Sequence, residues 1–185
     1  MEDSIFYRLC SLAAGACLVL LALSRCSGNL KANPTVDTRL VSASNDFGFR
    51  LYGELAKQAG QNNIFISPTS IELALAMTYN GAGGTTKEGM AQALGVQAMT
   101  LEEINQANAA LLTVLRNPDP KVQLALANSL WGRVGFAFNE DFMQRNQDFY
   151  GAELRSIDFE AASSADIINQ WVSDHTRGKI PAVVT

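Results

Sequence analysis

The stretch from Asn63 to Thr86 constrains this chain more than any other. It opens with Ile64-Phe65-Ile66, a run of the β-branched and aromatic residues that favour a strand. Ser67-Pro68 then reads as a helix start. The serine hydroxyl can cap, and proline at the first helical position has its φ preset and loses no needed N–H. The helix that follows, Ile71 to Tyr79, carries Leu73, Ala74, Leu75, Ala76 and Met77 and is apolar on nearly every face. A helix of that kind belongs inside its domain. Asn80-Gly81 ends it, and the turn Gly81-Ala82-Gly83-Gly84 leads to a second helix from about Thr86 to Leu94, stopped by Gly95. The expectation is a strand feeding a fully buried helix at the centre of the fold.

On the N-terminal side, Ser44-Asn45-Asp46 offers caps for a helix whose Phe47, Leu51, Tyr52 and Leu55 fall at helical spacing, ending at Gly60. On the other side, Thr100 and Glu103 form a capping box ahead of an apolar stripe (Ile104, Leu111, Leu112, Leu115) closed by Asn117-Pro118. Val122, Leu124 and Leu126 alternate with Gln123, Ala125 and Ala127, which predicts a strand running on through Asn128 to Trp131. Asn139 caps a helix bearing Phe142, Phe149 and Tyr150, and Leu154 to Phe159 is strand-like. Ser163 or Ser164 starts a last helix with Ile168, Trp171, Val172 and His175 on one stripe and Gly178 as its C-cap. This is a mixed α+β pattern dominated by helices.

The 185 residues suffice for one domain with a sizeable core plus an export segment. Cys10, Cys17 and Cys26 all precede the domain, which therefore has no disulfide framework or Cys-ligated metal site. Leu9 to Leu23 is uncharged and strongly apolar, a length that suits a signal-peptide core and is short for a spanning helix. The flanking Glu2 and Asp3 are atypical of an export signal, which usually starts basic. Leu23-Ser24-Arg25-Cys26 resembles a bacterial lipoprotein processing box, with Arg25 where a small residue is expected; Ala14-Gly15-Ala16-Cys17 has the small residues but is followed by more apolar sequence. Residues 1–28 are thus expected to be a signal peptide or a membrane or lipid anchor, with Cys26 as the preferred lipidation site; a buried N-terminal helix is the alternative. Residues 29–41, with Pro34, read as a linker, and 42–185 as the domain. The expected localisation is exported, extracellular or periplasmic, with a tether to the membrane as one option.

The net charge of −4 argues against a nucleic-acid partner, which wants a basic patch. Catalysis is not expected. There is no G-x-S-x-G elbow, and His175, the one histidine, sits on a helix beside Trp171 and Val172, where packing is its simplest role. One histidine and no domain cysteine make a zinc site equally unexpected, and no cofactor is implied. Gly81 to Thr85 lacks a P-loop lysine and follows a helix rather than a strand, so it is a turn. Ser67 and Ser70 have a plain structural reading as helix capping and polar packing.

The run N-I-F-I-S-P-x-S-I-x-x-A-L-A-M (Asn63 to Met77), followed by N-G-A-x-G-x-T, closely resembles the start of the serpin domain. N-x-F-x-x-x-L-Y-x-x-L in the first helix, A-N-S-L-W at Ala127 to Trp131, and I-N-x-W-V-x-x-x-T-x-G-K-I at Ile168 to Ile180 resemble it in the same order. The resemblance implies the N-terminal half of a serpin domain, with helices packed around part of a main β-sheet. It implies an inhibitor of serine, sometimes cysteine, proteases that offers a reactive loop as bait and traps the protease by inserting that loop into the sheet. In the family, Ser67, Pro68 and Ser70 would lie in the shutter region that controls whether the strands part. The helix bearing Asn169, Trp171, Thr176 and Gly178 would lie across the sheet. The bait loop lies near the C-terminal end of the family's domain, past the stretch that ends at Thr185, so the C-terminal half is expected to be absent here and no reactive-centre residue can be named. The partner implied is a serine protease of unknown identity. No glycosaminoglycan site is expected, because the helix that carries basic residues in some serpins has Glu102 and Glu103 here, with only Arg116 near its end. The alternatives are a non-inhibitory binding protein and an inert truncated fragment.

Overall fold

The computed structural model describes residues 35–116, 119, 121–122 and 124–185. The apolar N-terminal run, Cys26 and the Asn117-Pro118 helix stop lie outside the described residues. The elements run α1 (Thr38–Ala59), α2 (Pro68–Tyr79), α3 (Gly84–Leu94), α4 (Leu101–Arg116), β1 (Ser129–Arg133), α5 (Glu140–Tyr150), β2 (Glu153–Ile157) and α6 (Ser164–His175).

Helix α1 begins at Thr38, within the 29–41 stretch expected as a linker. Asp37 is its N-cap, accepting from the Arg39 N–H at 2.8 Å, and Leu40, just inside, is buried in the core. Ser44, Asn45 and Asp46 therefore sit within the helix rather than capping it, and Gly60 ends it at φ +59°. The capping box of α4 forms as its sequence predicts. The Thr100 N–H donates to Glu103 Oε2 at 2.7 Å and the Glu103 N–H to Thr100 Oγ1 at 3.2 Å. That backbone bond, ahead of the Arg39 and Thr100 side chains, pulls the Glu103 carboxyl down to about 2. Asn139 caps α5 as expected. Helix α6 closes on Thr176, not Gly178; Gly178, at φ +72°, donates its N–H to the Ser173 carbonyl one turn back.

Two apolar clusters meet along α2. One gathers Leu40, Ala43 and Phe47 of α1 with Tyr79, Ala91, Leu94 and Ile104. The other packs Leu73, Ala76 and Met77 of α2 against Leu112, Tyr150 and Ala152, with Leu126, Leu130 and Leu154 at its margin. These cover two sides of α2 only. Ser70, Ile71, Ala74 and Thr78 face outward, so the expectation of a fully buried helix is corrected: its third face has no covering element among the described residues. The same holds for Ile64-Phe65-Ile66, which is not laddered to any strand among the described residues and leaves Phe65 fully exposed.

Among the described residues the strand expected from Val122 begins only at Ser129, because a ladder extends no further than its partner. That partner is β2, five residues in parallel register from Ser129↔Glu153 to Arg133↔Ile157; Phe159 lies past it in a turn. Parallel neighbours need a crossover, and α5 supplies it. Gly132 is required at the fourth position of β1, since a Cβ there would stand 2.3 Å from the Phe138 ring. That ring is held in place by stacking on Phe142, centroids 5.8 Å apart.

Candidate functional site

Helix α6 is anchored to both strands through side chains. Buried Trp171 meets Trp131 of β1 edge to face, with centroids 6.3 Å apart, and donates its Nε1–H to Glu153 Oε2 of β2 at 3.0 Å. One turn on, His175 stacks on Trp171 at 4.1 Å. Its Nδ1 meets the Trp171 carbonyl at 2.7 Å and its Nε2 meets Glu153 Oε1 at 2.9 Å. Both oxygens are acceptors, so the ring satisfies both contacts when each nitrogen carries a proton. Arg155 adds an ion pair to Glu153 Oε2 at 2.7 Å and lies over the Trp131 ring. The Trp171 hydrogen bond is the largest cause holding the Glu153 carboxyl below the usual range; Arg155 and the His175 charge add to it against some desolvation.

The chain after α6 folds back onto it. Thr176 Oγ1 accepts from the Ile180 N–H at 3.1 Å. Asn169 accepts the Val183 and Val184 N–H groups on Oδ1, at 2.8 and 3.1 Å, and donates from Nδ2 to the Val184 carbonyl at 2.8 Å. Replacing Asn169 by alanine is expected to speed amide hydrogen exchange at Val183 and Val184 on the order of tenfold, with the α6 amides unchanged.

Ser67 and Ser70 come together at the start of α2. Their hydroxyl oxygens are 2.8 Å apart, and the Ser70 N–H donates to Ser67 Oγ at 3.4 Å, with Pro68 at the first helical position. Both serines are exposed, which fits the capping reading. From Ser70 a groove of about 320 Å³ runs along Leu73, Ala74 and Met77, past Leu126 to Ser129, to Trp171 and Thr176. Helix α2, the segment leading into β1 and the Trp171–Thr176 stretch thus border one apolar trough.

A polar chain is buried in the core. Asn105 Nδ2 donates to Asn80 Oδ1 at 2.8 Å, and Asn80 Nδ2 to Asn146 Oδ1 at 3.1 Å. The Tyr150 hydroxyl donates to Asn105 Oδ1 at 2.8 Å and accepts from Asn108 Nδ2 at 3.4 Å. Burial holds the Tyr150 phenol neutral far into the alkaline range. Asn80, Tyr150 and Trp131 enter the sequence-based expectations only as helix and strand residues, and Asn105, Asn108, Asn146, Glu153 and Arg155 do not enter them at all. Asn105 and Asn108 did leave a trace, as amides at helical spacing within the apolar stripe of α4. Glu153 left none, because its partners on α6 are 18 and 22 residues further along.

The family model described as Serpin (serine protease inhibitor) matches residues 42–185. The chain is 37% identical over 148 residues to the leukocyte elastase inhibitor of Equus caballus, covering 79% of this chain and 38% of that protein. It is 40% identical over 143 residues to human Serpin B9, covering 76% and 38%. It is 38% identical over 154 residues to an uncharacterised serpin-like protein of Thermococcus kodakarensis, covering 79% and 34%. Among solved structures, cleaved kallistatin complexed with heparin superposes with a TM-score of 0.69 at 27% identity, over 77% of this chain and 42% of that one. The chain thus spans under two-fifths of the length of these curated relatives.

Proposed function

Since this chain belongs to the serpin family, we propose that it is the N-terminal part of an inhibitor of serine, and for some members cysteine, endopeptidases that works by suicide-substrate trapping. It is not an enzyme in this reading. The observation that carries it is α6 anchored on β1 and β2 through Trp171, His175 and Glu153, beside an apolar trough along α2. Trapping requires a sheet that accepts a cleaved loop as a new strand, releasing stored strain while the protease stays attached. A helix held by side chains rather than by backbone ladders can move over such a sheet. The test is incubation of the complete gene product with serine endopeptidases of differing specificity. A protease adduct that survives SDS is expected; cleavage without an adduct overturns the proposal.

Ser67, Pro68 and Ser70 form the shutter in this reading, with Ser70 lining the trough and Ser67 paired to it through the hydroxyls. A Ser67→Ala change is expected to cost about 1 kcal/mol through loss of the cap. In the complete inhibitor it should also change the ratio of trapped to released protease, while a helix cap elsewhere, such as Asn139, should not. Equal effects from the two caps would remove the shutter role.

Export rests on the sequence of residues 1–28. Cell fractionation tests it, and mass analysis of the N-terminal peptide against a Cys26→Ser variant tests lipidation at Cys26. The acidic Glu102 and Glu103 on α4, and Arg116 turned toward the Tyr150 carbonyl, support an inhibitor with no glycosaminoglycan site on this helix.

A second reading is favoured by exposed apolar surface. Phe65, Phe49 and Tyr52 are exposed around a cleft of about 500 Å³, and the outer face of α2 is bare. A chain with such faces associates with a complementary segment, so a non-inhibitory binding role is the alternative. Sequencing past the codon for Thr185 separates the two: an open frame encoding a bait loop favours trapping.

A further inference from the structure

Glu72 is the one acidic side chain in the core of the described residues, 3% exposed on the inner face of α2. Its hydrogen-bond partner is Ser44 of α1, whose Oγ stands 2.6 Å from Glu72 Oε1. The same Ser44 Oγ stands 2.8 Å from the Leu40 carbonyl. A hydroxyl has one proton, and a carbonyl and a carboxylate both only accept. With Glu72 ionised, one of these two close contacts has no hydrogen. With Glu72 protonated, both are satisfied: the acid donates to Ser44 Oγ, and Ser44 donates to the Leu40 carbonyl.

We propose that Glu72 is a neutral carboxylic acid in the folded protein, and that this proton makes the α1–α2 joint a pH-dependent contact. Among the described residues no charged group pairs with it there. On α1, Arg39, Asp46 and Arg50 line a separate cleft with Gly95. From α3, Lys87 reaches over the Tyr79 ring, at the far end of α2. From α5 the titratable neighbour is Tyr150, whose phenol stays neutral. No ion pair to Glu72 is present among the described residues. Burial accordingly raises the Glu72 carboxyl above its ordinary value of 4.5, opposed in part by the Ser44 bond.

The direction of the pH effect follows. A group whose folded value is raised binds its proton more tightly in the native state. Its contribution is complete below 4.5 and is lost as pH rises through the folded value. The joint therefore tightens on mild acidification, the reverse of Glu153, whose depressed value contributes above the ordinary carboxylate range and is lost as pH falls.

The experiment is urea unfolding of the full 185-residue chain across about pH 5 to 8, for wild type and Glu72→Gln. Glutamine keeps the shape and donates from its amide to Ser44 Oγ without titrating. The wild-type midpoint should fall relative to the variant as pH rises, with the variant the more resistant at the alkaline end. Parallel curves overturn the proposal. If the variant does not fold, isotope-edited infrared spectra of wild type labelled at glutamate decide. A carboxylic-acid C=O band that persists above the ordinary glutamate range supports the assignment, and carboxylate bands alone overturn it.

Discussion

Replacing Trp171 by alanine is expected to destabilise the chain by about 3–5 kcal/mol, the largest loss available from a single side chain of α6. Its ring is buried, fills the space beside Trp131, carries the stacked His175 and holds Glu153 through Nε1. Truncation leaves a cavity and removes three partners together, so α6 should detach before the α1–α4 cluster melts. Equilibrium unfolding followed by near-ultraviolet circular dichroism and by helix content measures this: two separated transitions are expected, and one unchanged transition would refute it. Trp171→Phe is the informative companion. It keeps most of the apolar area but loses the N–H that chiefly depresses the Glu153 carboxyl. The part of the acid-side stability loss that belongs to Glu153 should shrink in that variant.

Tyr150→Phe is expected to cost about 1–3 kcal/mol although it removes one oxygen atom. That oxygen donates to Asn105 Oδ1 and accepts from Asn108 Nδ2, and all three residues are essentially sealed from solvent. Without it Asn105 Oδ1 keeps no hydroxyl donor in a place water does not reach. Asn108 Oδ1 already lacks a partner, so this network has little slack. A double-mutant cycle with Asn105→Leu separates the effects. Strong non-additivity is expected, because leucine removes the acceptor that the phenylalanine variant strands. Additive losses would show that the two side chains act independently.

The helices were the legible part of this molecule. Thr100 with Glu103, Asn139 and Gly95 each fix a helix end by chemistry contained within four residues of sequence, and the structure forms those ends. The strands were less legible, because a strand's length belongs to its partner. Val122 to Ala127 alternate as a strand should, yet among the described residues only Ser129 to Arg133 of this stretch find a ladder. Helix α2 failed for a related reason: an all-apolar helix declares that its faces are to be covered, without saying by which element. At the candidate site, Trp171 and Asn169 could be singled out from the serpin-like pattern they belong to. Glu153 and Glu72 could not, because their significance lies in partners on other elements.

The pairing of β1 with β2 has a consequence for the order in which this chain acquires structure. Its two strands are separated by the whole of α5, so Ser129 has no Glu153 to meet until α5 has been made and has turned back. The residues of α1 to α4 all precede β1 in the chain, so their contacts can assemble while the strands are still to be made. On the ribosome, a helical nucleus would therefore wait with the bare face of α2 turned outward, and the two-stranded seed would be laid beside it only after Ile157 had emerged.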